Sequence, residues 1–168
     1  MWHLRICSSR SQCVEAVQDI FKQAVYRNNT YKEALEAGKP APSFQPMFVI
    51  VQSMAQLKTM MAGYVTKAAE ASDDTPLNRL QVAMEKCTKE YGIFFVVAES
   101  IQSLTPFTAE KWYKIQVTGN NGIWIGSGAN SQYRLNINTK PQGFNGALAK
   151  GFGYVVKNAA AELVKFLQ

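Results

Sequence analysis

Two short apolar runs constrain the fold of this chain more than any other feature of its sequence. Met47 to Val51 reads MFVIV, and Ile93 to Ala98 reads IFFVVA. Each run has the length of a β-strand, and neither shows the alternation of apolar and polar residues that marks a half-exposed strand. The two runs therefore predict strands that are covered on both faces, as in a parallel sheet between layers of helices.

Helical patterns separate the two predicted strands. Gln52 to Tyr64 carries apolar residues at helical spacing, and a second amphipathic helix is predicted from Pro76 to Gly92, with Asp74 or Thr75 as its N-cap. The order strand, helix, helix, strand predicts parallel strands joined by a right-handed crossover. The fold class that follows is α/β, with a mostly parallel sheet flanked by helices.

Two further helices, a short strand and an exposed loop are predicted from the same signals. A long helix begins with Ser11 as its N-cap and runs to Gly38, and another helix spans Thr108 to Val117. Trp2 to Ser8 alternates weakly and is a candidate strand, whereas Lys67 to Asp74 is small and polar and is predicted to be an exposed loop.

The tail of the chain has a different character. It contains short strand-like pieces separated by Gly, Asn and Pro residues, at Gly122 to Ile125, Gln132 to Ile137, Phe152 to Val156 and Glu162 to Phe166. The last two pieces predict a C-terminal β-hairpin that turns within Lys157 to Ala161.

Composition limits the class of protein. The 168 residues are 47% hydrophobic and 18% charged, which predicts one globular domain, residues 1–168, with a substantial core. The net charge is +6, but the cations are scattered, so binding to nucleic acid is not expected. No apolar stretch approaches the roughly 20 residues that span a bilayer, and we expect a soluble, cytoplasmic segment. Three cysteines and one histidine without metal-type spacing predict neither a disulfide framework nor a metal site.

Polar residues follow both predicted strands at the point where each ends. Gln52 and Ser53 come after the first strand, and Glu99 and Ser100 come after the second. Ligands of open α/β sheets bind at this edge, where nucleotide-hydrolysing domains place acidic residues that hold Mg²⁺. Because Gln52 and Ser53 are neutral, the four residues predict a degenerate edge that resembles a nucleotide site. For Glu99, the alternative to a ligand-facing role is that it is only an N-cap neighbour or a solvated residue.

The sequence contains no phosphate-binding loop. Such a loop needs closely spaced glycines followed by Lys and Ser or Thr, whereas Gly38-Lys39 continues into Pro40 and the glycines of the tail precede a late strand. The one histidine, His3, lies near a terminus and is poorly placed to act as a catalytic base. We therefore predict no catalytic residue, no metal site and no cofactor for this chain.

Three aromatic residues are candidates for substrate binding. Trp112 and Tyr113 are adjacent in a predicted helix, so only one of them can face the core. Trp124 lies between Ile123 and Ile125, where alternation places it on the opposite face of a strand. Burial in the core is the alternative for each residue, and an exposed member would be a candidate anchor for a bound peptide.

Several motifs together resemble one family. They follow a long helix that carries Arg27 and Tyr31, and they read PMFVIVQS at 46–53, KEYGIFFVVAES at 89–100, EKWYK at 110–114, GIWIGSG at 122–128 and FGYVVKNAAAELVKFL at 152–167. From about Val14 onward, the chain resembles the C-terminal FtsK/SpoIIIE-type ATPase domain of EssC, the membrane-anchored coupling ATPase of type VII secretion.

The resemblance implies a RecA-like P-loop NTPase fold on the cytoplasmic side of a membrane-anchored protein. It implies that the partners are secreted WXG-type proteins and other domains or subunits of the same ATPase. It also implies a strand and a P-loop-like turn ahead of the position of Trp2, so we expect this chain to be a truncated copy, the product of a split gene or an expressed fragment. ATP and Mg²⁺ would then be bound only if the upstream segment were present.

The resemblance also implies a specific loss. In active members of the family an acidic pair falls at the positions of Gln52 and Ser53, and neutral side chains cannot offset the charge of a magnesium–phosphate complex. The favoured function is therefore a non-catalytic domain that binds an export signal or a neighbouring subunit. The groove would lie near the carboxyl edge of the sheet, or beside the Trp112 helix and the Trp124 strand.

Two other functions are compatible with the sequence. One is an ATPase half-site, in which an upstream segment supplies the P-loop and this chain contributes Glu99 or Arg134 in trans. The other is a DNA translocase, which is the least favoured because the sequence lacks a clustered basic stripe.

Overall fold

The computed structural model of the chain describes residues 4–62 and 75–166. The chain divides into two compact units, Met1–Gln116 and Val117–Gln168. In the part of the chain that the structure describes, the first unit holds the α-helices and a two-stranded parallel sheet, and the second holds a three-stranded antiparallel sheet. The predicted exposed loop at Lys67 to Asp74 falls outside the described residues.

The first helix, α1, spans Arg10–Glu36. Its N-cap is Ser9, so the predicted N-cap at Ser11 is wrong. The Ser9 hydroxyl accepts a hydrogen bond from the Gln12 backbone N–H, and the Gln12 side-chain oxygen accepts one from the Ser9 backbone N–H. This capping box satisfies two donors that a helix start would otherwise leave unpaired.

The segment before α1 is irregular. Leu4 to Ser8 contains no strand, so the candidate strand at Trp2 to Ser8 does not form over its described residues. At the other end of α1, Gly38 adopts φ +65°, which ends the helical region as predicted because glycine has no Cβ to oppose a positive φ.

The two predicted apolar strands form and pair in parallel. β1 spans Met47–Val51 and β2 spans Ile93–Val97, in unbroken register from one end to the other. Neither strand has a second neighbour among the described residues. The parallel pairing confirms the α/β class.

Two helices lie between these strands in the chain. α2 spans Met54–Met61 with Ser53 as its N-cap, and α3 spans Pro76–Lys86 with Thr75 as its N-cap. Proline at the first position of α3 suits a place where the backbone N–H has no helical partner. The helix ends earlier than predicted, because the chain becomes extended at Cys87 (ψ 125°). A short 3₁₀ turn, Lys89–Tyr91, then leads into β2.

The helical region after β2 is broken into short pieces. α4 spans Ile101–Leu104, a 3₁₀ turn covers Thr105–Ala109, and α5 spans Lys111–Gln116. The single helix predicted from Thr108 to Val117 is therefore shortened. Glu110 has an extended ψ of 150°, which separates the 3₁₀ turn from α5.

Within residues 4–62 and 75–166, the parallel sheet is covered on one face only. Side chains of α1 and α3 pack on that face against Met47, Val49, Ile93 and Phe95. The other face carries four large apolar side chains that remain exposed: Phe48 (58%), Ile50 (72%), Phe94 (38%) and Val96 (44%). We call these four residues the open sheet face. The prediction that both faces are covered is wrong for the described part of the chain.

The second unit is built on an antiparallel sheet with strand order β3-β4-β5. β3 spans Gly122–Ile125, β4 spans Phe152–Lys157 and β5 spans Ala160–Lys165. The described strands are thus divided between a parallel pair and an antiparallel sheet, and do not form one mostly parallel sheet. The core of this unit centres on Ala129, Phe144 and Tyr154.

The predicted strand at Gln132 to Ile137 does not form. The Gln132 side-chain oxygen accepts hydrogen bonds from the backbone N–H groups of Arg134 (2.6 Å) and Leu135 (2.7 Å), and its amide donates to the Leu135 carbonyl (2.8 Å). These local bonds occupy backbone groups that a sheet ladder would need, so the segment curls into a turn.

The C-terminal hairpin forms as predicted. Its two turn residues, Asn158 and Ala159, have φ of 50° and 62°, which is the pattern of a type I′ turn. Positive φ is unusual for alanine. Three hydrogen bonds hold Ala159 in place: its N–H donates to the Asn120 carbonyl, and its carbonyl accepts from the N–H groups of Asn138 and Thr139.

Within residues 4–62 and 75–166, no helix combines the length and the apolar character that crossing a membrane requires.

Candidate functional site

The carboxyl ends of β1 and β2 lie side by side, as the sequence predicts. Val51 pairs with Val97 in the register, and the Ala98 N–H donates to the Val51 carbonyl at 2.9 Å. Gln52 and Ser53 leave the end of β1, while Glu99 and Ser100 leave the end of β2. The structure therefore brings these four residues to one edge.

Glu99 is the only carboxylate among the four, and its oxygens are engaged. Oε2 accepts hydrogen bonds from the Ser53 hydroxyl at 3.0 Å and from the Ala55 N–H at 3.2 Å, and Oε1 accepts from the Ser100 N–H at 3.1 Å. Since Ala55 lies in the first turn of α2, Glu99 places a negative charge at the positive end of that helix. Glu99 thus helps to cap α2, and it also directly precedes Ser100, the N-cap of α4, which is the N-cap neighbour position that the sequence left open.

The two serines at this edge are also helix caps. The Ser53 hydroxyl accepts from the Gln56 N–H at 3.2 Å, and the Ser100 hydroxyl accepts from the Ser103 N–H at 3.1 Å. Gln52 is exposed. Two N-capping serines and one carboxylate that serves the same purpose form a connected hydrogen-bond network at this edge. Among the described residues, no group of three or more His, Cys, Asp or Glu side chains is placed to hold a metal ion.

Trp112 is part of the core of the first unit. It is 3% exposed, its ring lies 6.3 Å from that of Phe107, and its indole N–H donates to Glu110 Oε2 at 2.6 Å. Tyr113 is half-buried and meets Trp112 edge to face at 5.6 Å. Trp112 is therefore the member of the pair that faces the core, and Tyr113 covers it.

A groove of about 760 Å³ runs along the surface beside Trp112. We call it the α3–α5 groove. Its apolar lining comes from three helices and includes Phe21, Leu77, Val82 and Trp112. The volume lies within the range of known ligand sites, which is roughly 300–1,000 Å³.

The carboxylates in the groove are balanced by lysines within the protein. Glu110 Oε1 lies 3.5 Å from Lys58 Nζ, and Glu85 Oε1 lies 3.0 Å from both Lys86 Nζ and Lys111 Nζ. Hydrogen bonds from Lys86 and Lys111 lower the pKa of Glu85. Lys58 and Lys111 both line the groove, so an entering ligand meets lysine ammonium groups beside an apolar floor.

Trp124 and Arg134 belong to the second unit. Trp124 is half-buried against the core of that unit, and its indole N–H donates to the Ser127 carbonyl at 3.0 Å. Its neighbours Ile123 and Ile125 are exposed, which confirms the predicted alternation. Arg134 is half-buried, with its guanidinium carbon 4.8 Å from the centre of the Tyr133 ring.

The second unit contains a polar cavity of about 480 Å³ that the sequence reasoning missed. Its lining is rich in carboxamides, from Asn120, Asn130, Gln132, Asn136 and Asn138. We call it the amide cavity. The signal was present, because the segment ANSQYRLNINTK at 129–140 places a polar residue at every even position. The same alternation is also typical of a strand, as predicted for Gln132 to Ile137.

The fold defines a class before any comparison with other proteins: a mixed α/β chain in which a small parallel sheet precedes an antiparallel hairpin sheet. The sequence matches no protein-family model and no curated protein. A solved structure described as the cytoplasmic domain of EssC has a similar fold, with a TM-score of 0.67 over 96% of this chain and a sequence identity of 13%. At that identity the likeness is one of fold. This chain spans 29% of the length of that structure.

Proposed function

We propose that this chain is a non-catalytic, RecA-like interaction domain, related to the C-terminal FtsK/SpoIIIE-type ATPase domain of type VII secretion ATPases. In this proposal it works in the cytoplasm and reaches a membrane only through its parent protein. The observation that carries the proposal is the open sheet face. The fold likeness to the cytoplasmic domain of EssC supports the choice of class.

The open sheet face favours a role in binding other protein surfaces. Phe48 and Phe94 stack with ring centres 5.3 Å apart, and Ile50 and Val96 are neighbours one step further along the strands. Parallel sheets are normally covered on both faces, whereas in the described residues this sheet is covered on one face only. We infer that another domain or subunit of the secretion ATPase covers this face.

The α3–α5 groove is the proposed site for the secreted substrate. An amphipathic helix from a WXG-type protein would lay its apolar residues on Val82 and Trp112, while acidic residues beside that stripe would meet Lys58 and Lys111. The apolar lining and the lysines of the groove support this assignment. Trp112 would act as a buried wall of the site and not as an exposed anchor.

The contacts at the carboxyl edge of the parallel sheet support a non-catalytic role. Gln52 and Ser53 carry no charge, and Glu99 accepts hydrogen bonds from Ser53, Ala55 and Ser100. A magnesium–nucleotide complex would have to displace these internal bonds. We therefore propose that the edge stabilises the fold and does not hydrolyse ATP.

The substrate proposal is tested by calorimetry with a peptide that corresponds to the C-terminal tail of a secreted WXG-type protein. Val82→Glu and Lys111→Glu place negative charge in the groove, and each is expected to weaken binding by about tenfold, which corresponds to roughly 1.4 kcal/mol. Lys114→Glu is the matched control on α5, because Lys114 is exposed and does not line the groove. Equal binding by all four proteins would contradict the proposal.

The alternative is an ATPase half-site, which the grouping of Ser53, Glu99 and Ser100 at one edge makes worth testing. It predicts that this chain, fused to a P-loop segment, binds a fluorescent ATP analogue and loses that binding in Glu99→Gln. Our proposal predicts that Glu99→Gln changes stability and leaves nucleotide binding unaltered.

A further inference from the structure

The amide cavity has the chemistry of a peptide-binding site. A carboxamide carries one carbonyl acceptor and two N–H donors, so it can pair with either side of a peptide bond. Five such groups line the cavity, together with Lys140, and the lining contains no carboxylate. The cavity lies wholly within the second unit and does not depend on the function proposed for the first.

Part of the carboxamide set is fixed by internal hydrogen bonds. The Asn136 side chain donates to the Thr118 carbonyl at 3.3 Å and to Asn120 Oδ1 at 2.9 Å, and Gln132 bonds to the backbone of its own turn. These three residues therefore shape the wall. Because their positions are set before any ligand enters, the cost of ordering the wall on binding is reduced.

The other carboxamides are available to a ligand. The side chains of Asn130 and Asn138 form no hydrogen bond with any described residue, and both residues are exposed at the cavity. The backbone of Asn138 is held, since its N–H donates to the Ala159 carbonyl at 2.8 Å. Asn138 thus offers a free amide from a fixed point on the main chain.

The net positive charge of the second unit favours a ligand that carries acidic groups. Residues 117–168 contain one carboxylate, Glu162, against five cationic side chains: Arg134, Lys140, Lys150, Lys157 and Lys165. Lys140 lines the cavity, with its ammonium nitrogen 5.4 Å from the centre of the Phe144 ring. A positive site attracts acidic groups.

We propose that the amide cavity binds the main chain of a short, extended peptide segment that carries a carboxylate. Asn130 and Asn138 would pair with the peptide groups of the ligand, and Lys140 would pair with its carboxylate. The ligand class is an acidic peptide, as opposed to a basic one or a sugar.

The test is an NMR titration of the full ¹⁵N-labelled chain with the blocked pentapeptide Ala-Ala-Glu-Ala-Ala. We expect the side-chain NH₂ signals of Asn130 and Asn138 to shift. Two further titrations use Ala-Ala-Lys-Ala-Ala and a galacturonic acid disaccharide. Equal or larger shifts with either of these ligands, or no shift with the glutamate peptide at about 10 mM, a concentration at which even millimolar binding is visible, would overturn the proposal.

Matched variants locate the binding. Asn130→Ala and Asn138→Ala are each expected to raise the Kd by about threefold to tenfold, as the loss of one hydrogen bond predicts. Asn145→Ala is the control, because Asn145 is exposed and does not line the cavity, and the Kd of this variant should stay within about twofold, as for an ordinary surface substitution.

A charge variant tests the role of the cation. Lys140→Gln should remove the preference for the glutamate peptide over the lysine peptide, whereas Lys150→Gln, outside the cavity, should keep it. An unchanged preference in Lys140→Gln, or an Asn145→Ala effect equal to that of Asn138→Ala, would contradict the proposal.

Discussion

Arg27 is a buried cation that links three parts of the first unit. It is 7% exposed, and its Nη1 donates to the carbonyls of Tyr91 at 2.8 Å and Gly92 at 3.2 Å. Its guanidinium lies over the Phe44 ring at 5.3 Å. The side chain thereby ties α1 to the turn that begins β2. Burial lowers the pKa of Arg27, but an arginine remains charged in proteins.

Arg27→Met is expected to lower the free energy of unfolding by about 2–3 kcal/mol, because one buried and one partly buried carbonyl lose a charged donor. Urea denaturation followed by circular dichroism measures the change. Lys22→Met is the control on the same helix, since Lys22 is exposed and its loss should cost less than about 0.5 kcal/mol. Equal losses in both variants would show that Arg27 has no special structural role.

The buried thiol of Cys87 makes the free energy of unfolding depend on pH in the alkaline range. Burial raises the pKa of its thiol to about 11, against a smaller opposing effect of the Arg27 charge. In the unfolded chain the thiol has its ordinary pKa of roughly 8.5. Between this pKa and the folded pKa, the unfolded state therefore binds fewer protons than the folded state. The contribution of the protonated Cys87 thiol to the free energy of unfolding is therefore complete below the unfolded pKa, and it is lost as the pH rises towards 11.

Comparison with Cys87→Ala isolates this effect from other groups that titrate in the same range. Wild-type stability should fall more than that of the variant between pH 8 and pH 11, by about 2–3 kcal/mol, as the difference between the unfolded pKa of roughly 8.5 and the folded pKa of about 11 implies. Chemical denaturation at both pH values provides the measurement. Parallel pH profiles would mean that the thiol does not titrate differently on folding.

At the scale of elements, the start of α2 depends on a residue from the end of β2. Glu99 accepts from the Ala55 N–H and from the hydroxyl of the N-cap Ser53. The contact joins the parallel strands at their carboxyl ends and fixes the direction in which α2 leaves the sheet.

Glu99→Ala should destabilise the fold by about 1–2 kcal/mol, the usual cost of losing a helix cap. Glu99→Gln should cost less, because one amide oxygen can still accept. Glu33→Ala on the exposed surface of α1 is the reference, and thermal unfolding gives the comparison. If Glu99→Ala matched the reference, the Glu99 contacts would contribute little to stability.

The elements also separate what the sequence could predict from what it could not. β1, β2 and the terminal hairpin were readable, because apolar runs and the Asn158 turn act over a few neighbouring residues. The edge grouping of Ser53 and Glu99 followed from parallel pairing alone. The sequence does not predict that a strand is absent at Gln132 to Ile137. That outcome depends on the orientation of the Gln132 side-chain amide, which accepts hydrogen bonds from the backbone of its own turn.

The open sheet face was missed for a different reason. An unbroken apolar run indicates that both faces of a strand are buried, but it does not identify the polypeptide that covers each face. In the described residues, α1 and α3 cover one side and the other remains exposed. The apolar pattern therefore predicts that both faces of the strands need a cover, but it does not predict whether this chain provides it.

At the scale of the whole molecule, the open sheet face should govern self-association. Phe48→Ser combined with Phe94→Ser is expected to reduce binding of the dye ANS and to shift sedimentation towards the monomer, because two exposed aromatic rings are removed from water-facing surface. Both residues lie away from the packed core, so the fold should persist. Ile123→Ser is the control, since Ile123 is exposed in the second unit. Stronger ANS binding in the double variant would contradict a surface role for these rings.

The same strands bear on how a cell can make this protein. MFVIV and IFFVV are short, uncharged, β-prone and free of proline, and each strand leaves one edge without a hydrogen-bonded neighbour among the described residues. Segments of this kind can template cross-β stacking when they emerge unprotected. Production together with the surface that covers them should therefore raise the yield of native protein more than lower temperature or slower expression.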